Sequence, residues 1–130
     1  MDLQRGADRL ARVLASAVLG ALVVMGVVAY VALGGGADPL AAPPAWLVGA
    51  QVAAGVLLHL VLRRLGGRSG ADPMVVVRMA LAEVVAMASL AVAFVRGEGS
   101  AGDYVTGAVV SAVLVGLHVW PRERTIRPTA

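Results

Sequence analysis

From Val13 to Leu33 the chain runs for 21 residues without a charged side chain. A helix rising about 1.5 Å per residue carries such a run across a hydrocarbon layer of roughly 30 Å. A soluble fold could bury a stretch of that length only inside a polar shell, and the rest of the chain does not supply one. Of 130 residues, 59% are apolar and 15% charged, with a mean hydropathy of +0.84. Lipid is the solvent that this pattern fits. The absence of cysteine excludes disulfide staples and thiolate metal sites, and five aromatic residues are too few for a base-stacking surface.

Three further apolar stretches follow the first, so spans are expected at 11–33, 45–64, 74–95 and 104–120 of one transmembrane domain covering 1–130. Backbone groups in lipid must be bonded within their own segment, and the alternation of a barrel strand is missing. The expected fold is therefore all-α, an integral membrane four-helix bundle, and the abundant valines do not argue against it. Residues 1–12 read as a charged terminus that frays, the alternative being a short amphipathic helix on the membrane face with Leu3 and Leu10 down. The apolar run behind them is too long for a cleaved signal peptide.

All eleven basic residues are arginine. Ten of them fall in the N-terminus, in the 63–78 connection and in the tail after Trp120, and only Arg96 lies in the other two loops. By the positive-inside rule both termini are expected in the cytoplasm, N-in and C-in. Tyr30, Trp46, Tyr104 and Trp120 fall at span boundaries, where amphipathic rings anchor. Arg78, one turn inside the third span, reads as a snorkelling topology charge. The net charge of +3 is then a topology signal and does not mark a nucleic-acid surface.

Glu83 lies ten residues after Pro73, about 15 Å into the third span and near the bilayer midplane. Desolvation there favours the neutral acid, so Glu83 is the candidate for holding a proton or cation. Its expected partners are on the second span. Gln51 matches its depth and would make a quiet hydrogen-bonded pair, whereas His59, closer to the cytoplasm, would make a water-bridged relay. His118 reads as an interfacial residue, and no metal site or cofactor is expected. Small residues recur four apart, at Ser16/Gly20, Gly49/Ala53, Ala82/Ala86 and Gly107/Ser111, and are read as packing faces.

The stretch RMALAEVVAMASLAVAFV, residues 78–95, resembles the carboxylate helix of the rotary ATPase proteolipids, the c subunits. The resemblance implies that Glu83, within ALAEVVA, stands where those proteins bind the transported proton or sodium ion. With HVWPRER at 118–124, the chain also looks like small, uncharacterised four-helix bacterial membrane proteins.

Neither a phosphate-cradling loop, nor a nucleophile elbow, nor a histidine pair on one helix occurs, and no enzyme is expected. The expected function is that of a non-catalytic accessory or assembly component, its partners being the lipid bilayer and either a second copy or a larger membrane complex. The alternative is a proton- or cation-coupled small transporter or channel working through Glu83. Arginine without lysine, with abundant Ala and Val, suggests GC-rich coding and hence a bacterial inner membrane.

Overall fold

The computed structural model describes residues 2–34, 41–65 and 74–121, which form four helices and no strand. They are α1 (Asp2–Leu33), α2 (Ala45–Leu65), α3 (Met74–Arg96) and α4 (Ala101–His118). All four are long and apolar enough to cross a membrane. Arg68, Arg122, Arg124 and Arg127, which carry part of the topology signal, lie outside the described residues.

Two boundaries differ from those expected. The charged N-terminus does not fray but continues α1 back to Asp2, because no proline or glycine pair interrupts the helical sequence between it and the apolar run. The fourth helix begins at Ala101, three residues early, and ends at His118. Its first turn contains Asp103, whose charge reads as loop in the sequence. In the structure that charge sits among the exposed amides of a helix N-terminus and is paired.

The α3–α4 hairpin is the centre of the molecule. α1 and α2 each pack against both of its helices and, among the described residues, do not touch each other, so they lie on opposite faces of the hairpin. In consequence 44% of the apolar window of α4 is buried, against 22% for α1 and for α2. α1 contributes one narrow stripe to the interior. Ala15, Val18, Leu22, Ala29 and Leu33 are buried, with Met25 packed against them, at spacings of three and four that place them on one side of a helix. Val23, Val24, Val27 and Val31 point outward from the other side.

Small residues decide how closely the helices approach. A methyl group placed on Gly107 of α4 would stand 2.0 Å from Ser89 Oγ and 2.4 Å from Ser89 Cβ of α3. On the other face, a methyl on Gly55 of α2 would stand 2.6 Å from Val110 Cγ1 of α4. The hairpin and the α2–α4 contact are therefore set by these two glycines. Ala82, Ala86, Gly107 and Ser111 are buried as packing residues. Ser16, Gly20, Gly49 and Ala53 lie on outward faces, and nothing stands within 4 Å of a methyl placed on Gly20 or Gly49.

Candidate functional site

The turn between α3 and α4 is closed by local chemistry. Gly97, at φ +84°, takes the left-handed conformation that ends α3, and its N–H donates to the Ala93 carbonyl at 2.9 Å. The buried Ser100 hydroxyl lies 2.6 Å from the Ala93 carbonyl and 2.5 Å from that of Gly97, covering two acceptors at the helix end. The Gly99 N–H donates to the Leu33 carbonyl at 2.7 Å, which ties the turn to the last residue of α1. This short turn brings Arg96, the last residue of α3, over Asp103 in the first turn of α4. The guanidinium donates to Asp103 Oδ2 at 2.5 Å. Asp103 is 1% exposed and the Arg96 side chain 41%, so the pair has a buried negative end and a wet positive end.

Below this pair, Gln51 ties three helices together. It is six residues into α2, and Ser89 is seven residues before the end of α3, so by helix rise they lie about 9 and 10 Å from that end of the bundle. Gln51 Nε2 donates to Ser89 Oγ at 2.9 Å and to the Asp103 backbone carbonyl at 2.8 Å. Gln51 Oε1 accepts from Thr106 Oγ1 at 2.7 Å. Both amide hydrogens and the amide oxygen are thus engaged, and the amide orientation follows from its partners. The Ser89 hydroxyl in turn donates to Val85 O at 2.7 Å. One turn further down α4, Ser111 Oγ accepts from the Ala86 N–H of α3 at 3.0 Å. Toward α1, the buried Tyr104 hydroxyl donates to the Leu22 carbonyl at 2.8 Å.

Glu83 does not join this network. It is half-buried on α3 and makes no hydrogen bond or ion pair among the described residues. It lies close enough to Tyr104 for its charge to act on that hydroxyl. The pairs expected from depth alone therefore do not form. Gln51 is held by Ser89, Asp103 and Thr106, and His59 is held by His118. Depth along a span follows from residue count, but the angle around the helix axis decides which groups meet, and α2 and α1 approach the hairpin from different sides.

At the other end of the molecule His118 Nε2 lies 2.8 Å from His59 Nδ1, with ring centroids 4.9 Å apart and planes inclined at 55°. Both residues are half-buried. The α2–α4 contact at Gly55 and Val110 aligns the two helices above them. His118 is thus a partner of His59 as well as a boundary residue. The sequence carried a signal for this pair: each histidine stands four residues before an arginine at the same end of a span, His59 before Arg63 and His118 before Arg122. Asp103 carried a weaker one, as the acidic residue that closes a short loop opened by Arg96.

Compared with the profiles of known protein families, with curated proteins and with solved structures, the chain finds no match. The likeness to the proteolipid carboxylate helix rests on residues 78–95 alone. Among the described residues the polar interior is made of hydrogen-bonded amide, hydroxyl and carbonyl groups and the Arg96–Asp103 ion pair. Among the described residues no three His, Asp, Glu or Cys side chains gather into a metal cage.

Proposed function

We propose that the chain is a non-catalytic integral membrane component that assembles with a larger membrane complex or with further copies of itself. The observation that carries this reading is the division between inside and outside. Gln51, Ser89, Asp103, Tyr104 and Ser111 are bonded to one another, to Arg96 or to backbone within the bundle, and between their charged ends the helices present mostly apolar side chains outward. On the outward faces of α1 and α2 stand Ser16/Gly20 and Gly49/Ala53, small pairs one turn apart that let another helix approach closely. The arginine distribution supports an orientation with both termini cytoplasmic, and composition supports a bacterial inner membrane.

The chain has no native cysteine, so single cysteines placed at Gly20 and Gly49 report on neighbours without a background. Oxidative crosslinking in native membranes is expected to trap a partner or a second copy from at least one of these positions, and not from Arg5. A chain that stays uncrosslinked from both faces would refute the assembly reading.

Glu83 favours a second reading, a proton- or cation-coupled carrier, because it is a half-buried carboxyl in an apolar helix with no hydrogen-bond donor among the described residues. Labelling by a carboxyl-reactive carbodiimide at Glu83, with proton flux in liposomes that Glu83→Gln abolishes, would support it. An unreactive Glu83 without flux would leave the assembly reading alone.

A further inference from the structure

We propose that α1 pairs in parallel with α1 of a second copy of the chain, along a seam that runs from Ala7 to Val31. This names the partner within the assembly reading above and rests on that reading. α1 has 32 residues, about 48 Å at helix rise, against a hydrocarbon layer of roughly 30 Å. Its far end is held at the edge of the bundle, where the Leu33 carbonyl accepts from Gly99 in the α3–α4 turn, so the surplus length projects at the N-terminal end. No side chain from Arg5 to Leu14 is buried, and among the described residues Ala15 is the first of α1 to enter the core. This projecting stretch is two-faced. Arg5, Asp8, Arg9 and Arg12 share one side of the helix, and Ala7, Leu10 and Leu14 share the other. Leu10 is 55% exposed and stands about 35 Å from Leu33, past the reach of lipid tails. The same alternation of three and four residues continues into the apolar run through Ala17, Ala21, Val24, Val28 and Val31, all exposed. The seam lies about a third of a turn from the stripe that α1 gives to its own bundle, so both are open to packing at once.

Three features make a second copy the occupant. An alternation of three and four held from residue 7 to residue 31 stays in line only in a left-handed helix pair crossing at about 20°. Copies in one membrane insert the same way up, so like residues meet at like depth. The four charges between residues 5 and 12 all stand away from the seam, and the positions flanking it, Gly6, Ala11 and Val13, are uncharged, so identical chains meet without arginine facing arginine. Finally, the seam changes with its solvent. Leucines stand at 10 and 14, toward water, where burial of apolar area drives pairing, and alanines at 17 and 21, where lipid leaves close approach to do so.

The test uses the full chain in native membranes, with single cysteines in its cysteine-free background. Oxidation is expected to give a product of twice the chain mass from Leu10→Cys, Ala17→Cys and Ala21→Cys, and not from Ser16→Cys or Val23→Cys, which are exposed but off the seam. Leu10→Lys and Leu10→Glu each set like charges across the seam and are expected to lose the Ala17→Cys product, and co-expression of the two is expected to restore it as a mixed pair. Equal yields on and off the seam overturn the proposal. So does a mixed pair that fails to recover, since Leu10 takes no part in the core of its own chain. An adduct of another mass in place of the doubled chain overturns it and leaves the assembly reading standing, whereas a chain uncrosslinked from these positions and from Gly49 overturns both.

Discussion

Replacing Gln51 with leucine keeps the side-chain volume nearly constant and removes three interhelical hydrogen bonds, those to Ser89, to the Asp103 carbonyl and from Thr106. A hydrogen bond between helices in a membrane protein contributes about 0.6 kcal/mol on average and about 1.7 at most. Three of them set a loss of about 2 kcal/mol, with a ceiling of about 5. The released groups decide where in that range the loss falls. Ser89 keeps its bond to Val85 O, and Thr106 keeps the Asp103 and Gly102 carbonyls at 3.1 and 3.3 Å. Neither hydroxyl is orphaned, so the lower figure of about 2 kcal/mol is expected. Reversible unfolding in mixed micelles, with SDS as the denaturant and helicity as the signal, measures it. A double-mutant cycle with Ser89→Ala isolates one of the three bonds and is expected to give a coupling of about 0.6 kcal/mol. A Gln51→Leu chain as stable as the wild type, or a cycle with zero coupling, would refute the role of Gln51 as the tie between α2 and the hairpin.

Gly107→Ala drives a methyl into Ser89 Cβ, forcing α3 and α4 apart, and is expected to cost about 1–3 kcal/mol in the same unfolding assay. The corresponding change at Gly20, where nothing stands within 4 Å, should leave the isolated chain unchanged. Arg96→Gln leaves the buried Asp103 carboxylate without its cation and is expected to cost about 1–3 kcal/mol, discounted for the wet end of the arginine. Asp103→Asn, which leaves only a half-exposed guanidinium unpaired, should cost less, and unfolding midpoints of the two variants give the order. Tyr104→Phe removes the one hydroxyl that holds the Leu22 carbonyl and should loosen α1 by about 0.5–1.5 kcal/mol, read as faster hydrogen exchange around residues 22–26.

The four helices were legible because absence of charge over a long run is a one-dimensional property that any residue count captures. α2 and α3 begin at Ala45 and Met74 as expected, and each ends one residue beyond its expected limit. What was not legible is angular. Glu83 and Gln51 lie at similar depths, yet α1 and α2 approach the hairpin from opposite faces, and nothing in the spacing of polar residues states which face a span will turn toward which neighbour. Asp103 was hidden for a different reason. An acidic residue at the edge of an apolar stretch is ordinarily counted as loop, and only the tightness of the turn over Gly97 and Ser100 brings Arg96 across to neutralise it. The matching positions of His59 and His118 before an arginine hinted at a shared depth, but residues 59 apart meet only once α2 has been laid along α4.

The lack of any contact between α1 and α2 bears on how such a chain is made. Synthesis releases the first two helices before the hairpin exists, so in a bilayer each must remain inserted with lipid as its sole neighbour until α3 and α4 arrive. That demand falls on composition, and the apolar windows of α1 and α2 have mean hydropathies of 2.4 and 1.9. The last helix is under no such demand. With a window of only 1.3, α4 is joined to α3 by a short turn and finds partners there for Asp103 and Ser111. Within the chain the first two helices have their packing partners only in that hairpin, so the helices made last form the first contacts and those made first wait for them.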